Sequence, residues 1–299
     1  PVQIALIKKK LEFYWRKKKP VLCLVVGDAN SAIGGSLAAF SLGIPLGHIE
    51  AGLRSYDRTM SEETNRLVVD NLSDFLFAPS QDAKKNLLRE GIPSAKIFFV
   101  GNSMIEPLVR YKKEIEKRNM AGTLGLRKKT YGVLTLHRYN NIDTKPVLKE
   151  ILEAILLMQK EIPLVFPLHP STRERISFLL PAHFKQLQGA KNLRILPPLG
   201  YLDSVSLLKD ARIVLTDSGG VQEETTFLGV PCITLRQNTE RPVTVELGTN
   251  VVAGTTKDEI LPRFYEMLQK PKQRRKMPLR WDGRTSRRIV KILEEKLGK

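Results

Sequence analysis

The stretch ARIVLTDSGGVQEE, residues 211–224, decides the fold. Ala211 to Thr216 is an apolar, β-branched run of strand length, and a helical stretch begins near Val221. Asp217-Ser218-Gly219-Gly220 joins them, so the segment reads as a parallel strand turning directly into a helix. At such a turn the free amide N–H groups and the helix dipole favour an anion, and glycine lets a phosphate approach the backbone. Ser218 adds a hydroxyl donor. A plain capped turn would use the same residues. Gln222, Glu223 and Glu224 tip the reading toward a ligand site. Their helical turn faces the crevice at the carboxyl ends of the strands, where Glu224 suits the diol of a ribose.

Outward from this turn, short β-branched runs alternate with amphipathic stretches through nearly all 299 residues. That is the pattern of an α/β protein with parallel sheets covered by helices on both faces. Strands are expected at 21–26, 46–49, 75–78, 97–100, 132–135, 164–166, 193–195, 213–216 and 231–235. Helices are expected at 31–42, 62–71, 80–90, 145–160 and 202–209. A last helix, 284–297, places residues 289, 292, 293 and 297 on one face. Over 112–129 the apolar periodicity gives way to charge, with Gly122 and Gly125, before a fresh strand opens at Gly132. The expected division is therefore a first domain at 1–125, a second at 126–280, and a terminal helix at 281–299. The first half offers about four strands, few for a doubly wound sheet. It opens at Pro1 on an amphipathic stretch, Val2 to Tyr14, so an earlier start carrying further elements is expected.

The charge balance, 49 Lys and Arg against 31 Asp and Glu, gives a net +18 and invites an anionic partner. The basic clusters at Lys8-Lys9-Lys10, Arg16 to Lys19 and Lys272 to Lys276 carry no interleaved aromatics and no nucleic-acid motif, so they read as solvated surface. Neither nucleic acid nor a membrane is expected as a partner, since no apolar stretch approaches the length of a span. No signal peptide is visible, and a cytoplasmic protein is expected. Cys23 and Cys232 lie inside apolar runs and read as small core residues, not as a disulfide or metal pair.

Titratable residues collect at the predicted strand ends. The run at 21–26 leads into Gly27-Asp28, the run at 46–49 into Glu50, and Glu62-Glu63 opens a helix one turn before Arg66. Several acids at one sheet edge point to catalysis. In the second half His137-Arg138 follows the strand at 132–135, and His169-Pro170 follows that at 164–166. These histidines lack the spacing of a zinc site, so no metal is expected. His137 beside Arg138 suits a phosphate or a leaving group. Arg236, Glu240 and Arg241 follow a further strand end and suit the same ligand.

Gly27-Asp28, HIEAGLR at 48–54, EETNR at 62–66, His137-Arg138, DSGGVQEE at 217–224 and TERP at 239–242 together resemble the non-hydrolysing UDP-N-acetylglucosamine 2-epimerases. Order and spacing agree through almost the whole chain. The resemblance implies a glycosyltransferase-B-like fold: two Rossmann-like domains around a cleft, with the last helix crossing back to the first. It implies reversible conversion of UDP-GlcNAc to UDP-ManNAc without a cofactor, usually in a homodimer, supplying ManNAc to surface polysaccharide. The route is anti elimination of UDP to 2-acetamidoglucal, followed by readdition after protonation on the other face. The C2 hydrogen has no adjacent carbonyl to acidify it, so departure of UDP leads and carboxylates stabilise the oxocarbenium-like centre.

By the same resemblance, Asp28, Glu50 and Glu62 share proton removal, proton delivery and cation stabilisation. His137 assists departure of UDP. Arg66, Arg138, Arg241 and the Ser218-Gly219-Gly220 turn hold the diphosphate, and Glu224 the ribose. Three features depart from the family pattern. The usual opening strand and its arginine-bearing phosphate loop are not found, Ser61 stands where a proline usually precedes the acid pair, and Asn140 replaces an acid. Rival readings are a hydrolysing relative, an epimerase of a modified UDP-sugar, a glycosyltransferase of the same fold, and an inactive remnant.

Overall fold

The computed structural model describes residues 2–274 and 276–298; position 275, inside the basic cluster at 272–276, lies outside the described residues. The chain divides into two compact units, one made of residues 1–107 and 278–299, the other of 108–277.

The first unit runs α1 (Val2–Lys17), β1 (Cys23–Val26), α2 (Asn30–Ser41), β2 (Leu46–Ile49), α3 (Ser61–Leu72), β3 (Phe75–Ala78), α4 (Gln81–Arg89) and β4 (Ile97–Phe99). Its four strands are all parallel, in the order β1-β2-β3-β4. Cys23 and Val25 pack on α2, while Leu24 and Val26 are exposed on the other face of β1. Gly34 lets α1 lie close on α2: a Cβ there would stand 2.8 Å from Ile7 Cγ2. The chain leaves this unit through α5 (Ile105–Arg110).

The second unit continues with α6 (Lys112–Lys117), α7 (Met120–Thr123), β5 (Gly132–Thr135), α8 (Tyr139–Ile142), α9 (Lys145–Met158), β6 (Leu164–Pro167), α10 (Pro170–Leu179) and α11 (Pro181–Gly189). It ends with β7 (Leu193–Leu196), α12 (Tyr201–Lys209), β8 (Ile213–Thr216), α13 (Gly219–Leu228), β9 (Cys232–Thr234), α14 (Pro242–Glu246), β10 (Asn250–Val252) and α15 (Lys257–Gln269). The sheet is parallel, in the order β10-β9-β8-β5-β6-β7. Counted from β5, this is the doubly wound order of a Rossmann sheet, and its direction reverses between β5 and β8. Alternation along the strands builds both core layers: Leu134, Phe166 and Leu215 join one cluster, and Val133, Val165 and Val214 the other. Cys23 and Cys232 are free thiols in these cores.

The division falls at Leu108, earlier than the expected 125, because the charged stretch at 112–129 is structured and packs on the second unit. Ala121 is buried with Tyr131, Val133 and Leu207, and Arg118 Nη1 lies 2.9 Å from Asp203 Oδ1. The last helix, α16 (Thr285–Leu297), belongs to the first unit. Ile289 is buried against Phe77 and Val100, with Ile292 and Leu293 at the margin. Arg288 Nη1 donates to the Val100 carbonyl at 2.9 Å, and the Ser286 amide to Glu106 at 2.9 Å. Leu297, expected on the docked face, is exposed.

Candidate active site

Parallel strands bring their carboxyl ends to one edge of each unit, and the functional side chains follow directly on them. In the second unit β5 and β8 are in register from Gly132 opposite Ile213 to Thr135 opposite Thr216. His137 and Asp217 therefore emerge side by side where the strand order reverses. Asp217 is fully buried. It accepts from the amides of His137 at 3.0 Å and Arg138 at 2.8 Å and from Asn141 Nδ2 at 3.2 Å, and it faces His137 Nδ1 at 3.1 Å. Burial pushes the Asp217 carboxyl up, but these donors outweigh it and hold it below the usual carboxylate range. With Nδ1 turned to Asp217, His137 presents Nε2 outward, the orientation a leaving-group donor needs. Its side chain is half exposed.

The turn of residues 217–220 is a capped helix start. The Ser218 hydroxyl accepts from the Val221 amide, the Ser218 amide donates to Thr216 Oγ1 at 3.0 Å, and α13 begins at Gly219, two residues before the expected point. The segment 236–241 lies over this start. A Cβ on Gly219 would stand 2.6 Å from Glu240 Oε1, so any larger residue there must displace the Glu240 carboxylate. Glu240 pairs with Arg138 at 3.2 Å and Arg236 at 2.6 Å, while Arg241 pairs with Glu223 at 2.7 Å. Three guanidiniums thus share two carboxylates around the turn. One helical turn on, Glu224 is buried, and burial pushes its carboxyl up to about 7. Tyr201, at the head of α12, is raised by its own burial and then by the neighbouring Glu224 carboxylate.

A cavity of about 660 Å³ opens beside His137, lined by Thr135, Tyr139, Pro167, His169, Pro198 and Leu199 among others. Its size and largely apolar lining are those of a small-molecule site. Every described strand end from β5, β6 and β7 reaches it or the loop that follows. Among the described residues no cluster of His, Cys, Asp and Glu could hold a metal ion, and no helix is long and apolar enough to cross a membrane.

In the first unit β1 and β2 are neighbours, so Gly27-Asp28 and Glu50 leave adjacent strands. Gly27 and Gly52 have positive φ, and so does Glu50, at 72°. The Glu50 carboxylate lies against the first turn, its Oε2 3.9 Å from where a Gly27 Cβ would stand, and Ser103 Oγ donates to its Oε1 at 3.3 Å. Glu62 sits half-buried at the start of α3. Its neighbour Glu63 is buried and structural, accepting from the Ser55 and Tyr56 amides and from Ser55 Oγ. Arg66, expected on a phosphate, is fully buried in the first unit, with Nη1 2.7 Å from Asp28 Oδ2 and Nη2 3.1 Å from Glu63 Oε2. Two carboxylates engage its charge, and its place is behind Asp28. Asn65 Nδ2 adds a bond to the Asp28 carbonyl.

The sequence alone left Asn141, Ser103 and Asn65 without defined contacts, and Glu240, expected on the ligand with Arg236 and Arg241, pairs with Arg138 and Arg236. The strand-end threonines Thr135 and Thr216, whose hydroxyls bond at 2.6 Å, also escaped it. Ser103 could have been found, because Gly101-Asn102-Ser103 follows β4 as Gly27-Asp28 follows β1.

A Rossmann sheet with a glycine-bearing helix start at its switch point, a buried carboxyl one helical turn on, and a second parallel unit edged with acids defines a doubly wound α/β protein. The profile of the UDP-N-acetylglucosamine 2-epimerase family matches residues 2–294. UDP-N-acetylglucosamine 2-epimerase of Methanocaldococcus jannaschii is 44% identical over 283 residues, covering 93% of this chain and 76% of that protein. Pseudomonas aeruginosa UDP-2,3-diacetamido-2,3-dideoxy-D-glucuronate 2-epimerase is 41% identical over 250 residues, 82% of this chain and 67% of the relative. The crystal structure of the M. jannaschii UDP-GlcNAc 2-epimerase in complex with UDP-GlcNAc and UDP superposes with a TM-score of 0.91 at 42% identity, covering 98% of this chain and 80% of that one. The chain belongs to the UDP-N-acetylglucosamine 2-epimerase family.

Proposed function

We propose that this protein interconverts UDP-GlcNAc and UDP-ManNAc by elimination and readdition of UDP. The observation that carries the reading is the pair of carboxylates, Asp28 and Glu50, at the ends of adjacent strands. A C2 epimerisation that passes through a flat intermediate needs one group to take a proton and another to return one on the opposite face.

In the forward direction the C1–O bond breaks with its electron pair leaving on UDP, and a carboxylate of the first unit takes the C2 proton, whose bonding pair becomes the C1=C2 double bond. Protonation of the resulting 2-acetamidoglucal at C2 from the other face, with UDP returning to C1, gives the epimer. Nothing is oxidised or reduced overall. Asp28, Glu50 and Glu62 divide the proton transfers and the stabilisation of positive charge at C1. Arg66 orients Asp28. In the second unit the Ser218 hydroxyl and the amides of Gly219 and Gly220, with Arg138 and Arg241, hold the diphosphate. His137, oriented by Asp217, donates to the departing oxygen, and Glu224 accepts from the ribose diol. The resemblance to the family also supports a homodimer acting in the cytoplasm and feeding surface polysaccharide synthesis. Sedimentation tests the dimer.

Incubation with UDP-GlcNAc in deuterium oxide tests the reaction. Expected are deuterium at C2 in both epimers and retention of UDP on the sugar. Absence of C2 deuterium, or release of stoichiometric free UDP, rules the reading out. The P. aeruginosa relative makes UDP-2,3-diacetamido-2,3-dideoxy-D-glucuronate the informative second substrate for the same assay.

A further inference from the structure

A chain of buried polar groups in the first unit has no part in the chemistry above. His48 is fully buried in β2, two residues before Glu50. Its Nδ1 lies 2.6 Å from Asp70 Oδ1, and its Nε2 lies 2.9 Å from the Gly27 carbonyl oxygen. The Gly27 carbonyl can only accept, so Nε2 donates to it, while Nδ1 faces the Asp70 carboxylate. Asp70, on α3, also accepts from the Gly52 amide at 3.1 Å and from Arg54 Nη2 at 2.6 Å. Arg54 closes the chain on Glu90, through Nε at 2.7 Å and Nη2 at 2.6 Å. Burial pushes the Asp70 carboxyl up, but His48 and then Arg54 outweigh it and keep it below the usual carboxylate range.

The two ends of this chain that reach backbone land on the turns that bear the acids. The Gly27 carbonyl immediately precedes Asp28, and the Gly52 amide lies two residues beyond Glu50. Both turns hold residues in the left-handed region, and for Glu50, which has a Cβ, that conformation costs about 1–2 kcal/mol. A turn under such strain keeps its shape only where neighbouring bonds over-determine it.

We propose that His48 is a positioning residue that, through its Nε2 bond to the Gly27 carbonyl, ties the Gly27-Asp28 turn to β2, two residues before Glu50, and so fixes the separation of the two acids. The inference rests on the reading of Asp28 and Glu50 as the proton-transferring pair. His48 touches no substrate, and the nucleotide contacts lie in the other unit. Its loss acts on kcat and leaves KM and UDP affinity in place.

Two substitutions separate the two ring contacts. His48→Asn keeps a donor where Nδ1 stands and drops the Gly27 bond; His48→Gln keeps a donor where Nε2 stands. Expected for His48→Asn is a fall in kcat of about 30-fold or more with KM within about threefold, the loss that about 1 Å of misplacement produces. His48→Gln is expected to hold kcat within about fivefold of wild type. Equal kcat in the two variants, a rise in KM or a loss of UDP affinity overturns the proposal, as does failure of both variants to fold. Should the wild-type chain itself show no C2 exchange, the epimerase reading fails, and the crystal structure of His48→Asn decides the positioning claim alone. Displacement of Asp28 from its 2.7 Å contact with Arg66 supports it, and an unchanged turn refutes it.

Discussion

Glu224 shows what a single buried side chain contributes before any ligand arrives. Its carboxyl titrates near 4.5 in the unfolded chain and near 7 in the folded one. Below the first value both states are neutral and burial costs nothing. As pH rises from there toward 7, the unfolded state releases a proton that the folded state keeps, and stability falls. Above 7 the loss is complete, at about 3 kcal/mol. Glu224→Gln removes this slope. In thermal denaturation the variant should melt above wild type at about pH 8 and together with it at about pH 4, while losing affinity for UDP-GlcNAc. Gly219 makes the opposite kind of contribution, by what it lacks. In Gly219→Ala the new methyl displaces Glu240 from its pairs with Arg138 and Arg236. A rise in the Kd for UDP of about tenfold or more is expected by calorimetry, together with a lower melting temperature, because the displaced pairs are buried.

At the scale of the element, α16 docks an apolar face on the first unit. Ile289→Ala empties a buried site against Phe77 and Val100 and should cost about 2–5 kcal/mol in urea denaturation of the first unit. The strands at 46–49, 75–78, 132–135 and 213–216 were legible to the residue, because each is a short, largely apolar run with a turn or loop close behind it. β10 was not: Asn250–Val252 is three residues long and exists because it pairs with β9. The helix Lys257–Gln269 was missed although it carries its own start signal, a capping box from Thr256 to Glu259. The helix at 112–117 was hidden by its charge and that at 120–123 by its four-residue length and Gly122, and the boundary moved with them. Within the candidate site, residues that follow strands could be found, since the sheet dictates where they emerge. Partners such as Asp70 for His48, 22 residues apart, obey no spacing rule and appear only when α3 packs beside β2.

At the scale of the whole molecule, the two units can be followed separately because both tryptophans, Trp15 and Trp281, lie in the first. Tryptophan emission therefore reports that unit alone, while far-UV circular dichroism reports both. With UDP at 100 times its Kd, the second unit should gain about 2.7 kcal/mol and shift the dichroism transition in urea. An equal gain in the tryptophan transition would place the nucleotide contacts in the wrong unit.

The first unit is built from two distant parts of the chain, and that has a consequence for its birth on the ribosome. Glu106 meets Ser286 across 180 residues of sequence. While the second unit is being synthesised, Phe77 and Val100 have emerged but Ile289 has not, so an apolar face of β3 and β4 waits uncovered for all of that time. The second unit is continuous in sequence and can complete its sheet first. A nascent chain arrested before Thr285 would carry a closed second unit and a first unit still in need of a chaperone.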